Sequence, residues 1–180
     1  MRSLTLVGVL VVALFGVVLS GCGGSSSDKK ANEAYADNVC SAVASWQQEI
    51  KDIATDFSSG ISKASLQKKV DQAQSATTKL VSEIKAVPAP DTDEGKAAKQ
   101  QLDQLTDDVT TVVDAAKSGL AQLQDNASVA TVAAAVAALA PQVQSLVGEA
   151  RSAIGKLKDA GGSLSSAFKN TDSCKSLNPT

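Results

Sequence analysis

From Val39 onward the apolar positions recur at alternating spacings of three and four, the period of helices packed on one another. The first stripe is Val39, Val43, Trp46, Ile50, Ile53 and Phe57, and Ser58-Ser59-Gly60 follows as a helix stop in which Gly60 can turn left-handed. Ser62 or Ser65 caps a second stripe of Leu66, Val70, Ala73, Thr77, Leu80, Ile84 and Val87, and Pro88 and Pro90 end it. Asp91 and Glu94 have capping-box spacing before a third stripe of Ala98, Leu102, Leu105, Val109, Val112, Ala116, Leu120 and Leu123. After the turn Gln124-Asp125-Asn126, Ser128 caps a fourth stripe. It runs through Val129, Val132, Val136, Leu139, Val143, Leu146, Ala150, Ile154 and Leu157 to a stop at Gly161-Gly162. No strand-like alternation of any length occurs.

Four helices of roughly 26 to 33 residues, each about 40 to 50 Å long, joined by short turns, predict an all-α, elongated, antiparallel up-down-up-down four-helix bundle. A short helix at Leu164–Phe168 is expected on the tail. Pro141 interrupts the fourth helix and should kink it. The alanine-rich run before it, Ala133 to Ala140, permits close helix approach, or leaves space between helices. In the second case Ala133, Val136, Ala137, Ala140 and the stripe residue Trp46 face a ligand, and a closed apolar cavity of at least ~300 Å³ is expected. Tyr35 precedes the first core positions and is expected toward solvent.

The start of the chain has a different pattern. Arg2 is the only charge before Asp28, and Leu4 to Leu19 is almost wholly apolar. That run covers about 24 Å as a helix, short of the ~30 Å hydrocarbon core, which fits a secretory signal better than a span. At its end Leu19-Ser20-Gly21-Cys22 resembles the lipobox of bacterial lipoproteins. The resemblance implies diacylglyceryl modification of the Cys22 thiol and cleavage between Gly21 and Cys22, so that the mature chain starts at Cys22. The expected organisation is a signal peptide at 1–21, the acylated cysteine and a flexible Gly/Ser-rich tether at 22–31, and the bundle with its tail at 32–180. The expected location is the outer face of the cell membrane, held by lipid. Position 23 is Gly rather than Asp, so in a source with an outer membrane the family's sorting rule would not retain the chain at the inner one. Beyond the lipobox, Cys40 six residues before Trp46, a Pro-Ala-Pro-Asp turn and a late Cys174 give a loose likeness to small helical lipoproteins of high-GC Gram-positive bacteria, which brings no activity.

With Cys22 acylated, Cys40 and Cys174 remain, and outside the cytoplasm an even remainder points to one bridge, the alternative being two free thiols. In an up-down-up-down bundle the fourth helix finishes where the first begins, so the tail can carry Cys174 back to Cys40.

Composition narrows the chemistry further. The chain of 180 residues has no histidine, which excludes Ser-His-Asp and Cys-His catalysis and every His-containing zinc site. A formal charge of −2 argues against a nucleic-acid partner. Asp91, Asp93 and Gly95 resemble the start of a calcium loop, but Lys96 and Leu102 stand where that loop needs Gly and Glu. No serine has a base or a nucleophile-elbow setting, and there is no phosphate loop. Neither an enzyme, a metal nor a cofactor is expected. The expected function is a membrane-anchored helical module that meets a protein or cell-envelope partner, with a carrier or sensor of a small apolar ligand as the alternative.

Overall fold

A computed structural model describes residues 24–55 and 62–177. The lipobox with Gly21 and Cys22, the apolar leader, Phe57 and the Ser58-Ser59-Gly60 stop lie outside the described residues. All regular structure among the described residues is helical, in the order α1 (Gly24–Thr55), α2 (Lys63–Ala86), α3 (Asp93–Ala121), α4 (Val129–Asp159), α5 (Gly162–Asn170) and α6 (Asp172–Lys175).

The helices start and stop where local chemistry directs. Ser62 caps α2 in a reciprocal box: its Oγ accepts from the Ser65 N–H at 3.1 Å, and the Ser65 Oγ accepts from the Ser62 N–H at 2.9 Å. Ser128 caps α4 by accepting from the Thr131 N–H at 3.2 Å. Helix α2 ends one residue before Val87, ahead of Pro88 and Pro90. Helix α4 ends before Gly161 and Gly162, which take positive φ of 84° and 75°. The expected Asp91–Glu94 box does not form. Thr92 is the cap of α3, accepting from the Gly95 N–H at 3.0 Å, and this places Glu94 one position earlier in the first turn. Glu94 serves another helix: its Oε2 accepts from the Leu164 N–H of α5 at 3.1 Å. Glycine is needed at position 95, where a Cβ would lie 2.0 Å from the Pro90 carbonyl oxygen.

Helix α1 starts at Gly24, inside the segment expected as a tether. Residues 26–31 are exposed, yet the helix carries on from them into buried Asn32, Tyr35, Ala36 and Val39. A helix held by packing on its later turns extends backward at little cost, since only its first turn pays for nucleation.

Helix α1 packs against α2, α4, α5 and α6; α2 against α3; and α3 against α4. The C-terminal segment therefore belongs to the core. Leu164, Ala167, Phe168, Cys174 and Leu177 are all buried. Cys40 and Cys174 stand at disulfide distance, with sulfurs 2.03 Å apart and Cα atoms 5.0 Å apart. Polar contacts reinforce this end. Asn32 donates to Ser163 Oγ at 2.9 Å, Ser173 Oγ to Asp37 at 2.8 Å, and Lys158 Nζ to the Cys174 carbonyl at 2.8 Å. Burial pushes the pKa of Lys158 down, against a smaller opposing effect of Asp159. Tyr35, expected toward solvent, is 4% exposed and meets Phe168 edge-to-face, the ring centroids 6.1 Å apart. The tail helix covers it, a contact across the whole chain that the local pattern around residue 35 does not encode.

Candidate ligand cavity

The apolar stripes are buried almost throughout in α1, α2 and α3, with Val113 rather than Val112 fully buried in α3. Helix α4 departs from the pattern. Its buried residues are Val132, Leu146, Ala150, Ile154 and Leu157, so no residue between Val132 and Leu146 is fully buried. Val136, Leu139 and Val143 are half-buried, and Val129 is 65% exposed.

The core is divided at that level. A large cluster gathers Trp46, Ile50, Leu80, Leu105, Leu146 and Phe168 with their neighbours. A smaller one contains Leu66, Val70, Leu120 and Val132. Between them lies a cavity of about 290 Å³ whose walls come from all four long helices. Trp46 and Ile50 border it from α1, Leu66 and Val70 from α2, Val112 and Val113 from α3, and Val136 and Leu146 from α4. The physical cause is side-chain volume. From Ala133 to Ala140 helix α4 offers methyl groups at most positions, and Ala73 and Ala116 face it across the gap. Well-packed interiors leave few voids larger than a water molecule. This space is roughly twice the ~150 Å³ apolar cavity known to stay dry and admit benzene.

Three of the five residues expected to face a ligand meet here: Trp46, Val136 and Ala140. Ala133 is half-buried outside the cavity wall, and Ala137 is exposed. Helical phase explains the split. Val132, Val136, Leu139, Val143 and Leu146 form the inward stripe; at about 100° per residue Ala140 lies about 80° from its centre, at the cavity's margin, while Ala133 and Ala137 lie about 100° and about 140° away. The cavity is also open on one side rather than closed, bordered by exposed Ala54, Ala140, Gln142 and Gln144. The residues missed from sequence are Leu66, Val70, Ala73 and Ala116, which read simply as core positions on their own helices, and Val113, which the third stripe passes over in favour of Val112.

Trp46 is 2% exposed, and its indole N–H donates to Thr77 Oγ1 at 3.3 Å. The ring is thus held as a fixed wall, with its polar handle satisfied inside the bundle. Among the described residues Lys69 is the one charged residue on the lining, and it is half-buried on α2. At the far end Lys63 Nζ ties α2 to the α3–α4 turn, donating to the Leu123 carbonyl at 2.6 Å and to Asp125 at 2.7 Å. That hydrogen bond and charge hold the Asp125 carboxyl below its ordinary pKa. No three residues that could ligate a metal come together among the described residues.

Between Asp125 and Glu149 the sequence carries no charge. Helix α4 is accordingly long and apolar enough to cross a membrane by length and composition, with a mean hydropathy of 1.5 in its most apolar window, 11% of it buried. Pro141, Gln142 and Gln144 interrupt that window's apolar run.

No family model matches the chain, and no curated protein or solved structure is similar to it.

Proposed function

We propose that this chain is a lipid-anchored extracytoplasmic protein whose helical body takes up a small apolar ligand between its helices. The observation that carries this reading is the cavity of about 290 Å³ separating the two apolar clusters. Its walls supply what an apolar guest requires: aliphatic side chains, one immobilised indole and a narrow polar margin. The loosely buried stretch of α4 around Pro141 is the wall that yields for entry, because the fewest core contacts hold it there. The lipobox resemblance supplies the anchor, and the expected up-down-up-down arrangement agrees with α1 resting on both α2 and α4. The α1 residues that border the cavity, Trp46, Ile50, Ile53 and Ala54, lie in the second half of that helix, so the cavity sits toward the end away from the anchor.

We prefer this reading to the partner-binding module, which would be favoured by a fully packed core and an exposed patch on one helix pair. The test uses the single tryptophan of the chain, which borders the cavity. Titration with decanol, a neutral apolar probe, shifts and saturates Trp46 emission if the cavity is a site. Emission that stays unchanged while decanol reaches its solubility limit overturns the reading and restores the partner-binding module.

A further inference from the structure

We infer that the guest is a single unbranched alkyl chain lying lengthwise between the helices, and not a ring system. The inference rests on the cavity reading above and adds the shape class of the ligand. Among the described residues, three of the four walls run from Trp46 to Ala54 on α1, from Leu66 to Ala73 on α2 and from Val136 to Leu146 on α4. At ~1.5 Å per residue those stretches cover about 12, 10 and 15 Å of helix axis. The helices lie side by side through this region. Trp46 and Glu49 of α1 meet Thr77 and Lys79 of α2. Lys117 of α3 donates to Gln74 of α2 at 2.8 Å, and Lys63 ties the start of α2 to the Leu123 carbonyl just beyond α3. The long walls therefore measure one and the same dimension. A volume of about 290 Å³ spread over such a length leaves a slot roughly 5 Å across. One hydrocarbon chain fills that width in contact with every wall, whereas a ring system is wider in at least one direction. Length is bounded as well, because Trp46 and Leu146 at one end and Leu66 at the other are all buried. With about twice the volume of the ~150 Å³ space that admits benzene, the slot has room for roughly twelve carbons. The polar end of the chain emerges at the exposed border of Ala54, Ala140 and Gln144, where water solvates it.

The experiment follows Trp46 emission of the full-length protein in lipid nanodiscs with no detergent present, each affinity being referred to the free alcohol in the buffer. The probes are hexanol, octanol and decanol, with cyclododecanol as a ring that carries two carbons more than the longest chain. Affinity rises by roughly fourfold for each methylene from hexanol to decanol, as expected while every added group is taken up by the slot. Decanol binds roughly tenfold more tightly than cyclododecanol, which must strain the walls to enter. Cyclododecanol binding as tightly as decanol, or a gain that stops at hexanol, overturns the linear-chain assignment while the apolar cavity stands. Absence of a response to every probe overturns the cavity reading itself.

Discussion

Replacing Ala73 by Leu tests, by the sign of its effect on stability, whether the space it borders can take up added side-chain volume. Ala73 is half-buried on α2 and borders the space between the two clusters. The substitution adds three carbons, worth ~0.8 kcal/mol each when buried, or ~2.4 kcal/mol at most. Fixing the leucine rotamer costs ~0.5–1 kcal/mol, and the open side of the cavity reduces burial, leaving a net stabilisation of about 1–2 kcal/mol. For a chain of this size that raises the melting temperature by roughly 2–8 °C. At a filled position the same change costs ~1–3 kcal/mol through strained rotamers and shifted backbone. Ala150, fully buried in the large cluster and away from the cavity, is the matched control. Thermal and urea unfolding of Ala73→Leu and Ala150→Leu should therefore move in opposite directions. Parallel destabilisation would refute the reasoning, because it would mean that α2 is packed as tightly at residue 73 as α4 is at residue 150.

Three further outcomes follow from the tail and its surroundings. Cys40→Ala with Cys174→Ala opens a loop of sequence separation 134 and should cost up to about 5 kcal/mol in the chain-entropy model, read by urea unfolding under oxidising conditions; an unchanged midpoint contradicts the tie. Gly161→Ala and Gly162→Ala both meet positive φ, a cost of roughly 1–2 kcal/mol each, but only at 162 would the new Cβ strike the Glu94 carboxylate. The second should therefore be worse in the wild-type background and equal to the first in Glu94→Ala, as a double-mutant cycle reports. Burial, aided by Asp103, pushes the pKa of Tyr35 from 10.0 up to about 12. The fold thus favours the neutral phenol: the stabilisation is complete below pH 10.0 and is lost as pH rises toward about 12, up to roughly 3 kcal/mol. As Tyr35 is the only tyrosine, the tyrosinate absorbance band follows it directly, and ionisation at the ordinary value would remove the effect.

Much of the architecture is legible in local pattern. Stripes such as Leu66-Val70-Thr77-Leu80-Ile84, the caps at Ser62 and Ser128 and the breaks at Pro88 and Gly161 depend on residues near one another in the chain, and they stand in the structure. The expectations that failed depend on distant partners. Tyr35 is covered by Phe168, and Glu94 turns from its own helix to the N–H of Leu164, so neither role can be read from neighbouring residues. The cavity falls between these cases. The alanine run signals missing volume on α4, but whether three other helices close the gap or leave it open depends on their combined side-chain volumes. Ala73 and Ala116 read as ordinary stripe positions until the fold sets them opposite that run. The same geometry decides why Ala140 borders the cavity and Ala137 does not, a matter of helical phase that the composition of the run conceals.

The most direct test of the central claim is isotope-filtered nuclear Overhauser spectroscopy of the labelled protein with unlabelled decanol. A guest in the cavity gives contacts from its methylenes to the methyl groups of both clusters at once, Leu66 and Val70 on one side and Leu146 on the other. Contacts confined to Val129 and the outward methyls of α4, or no contacts at all, would contradict the account.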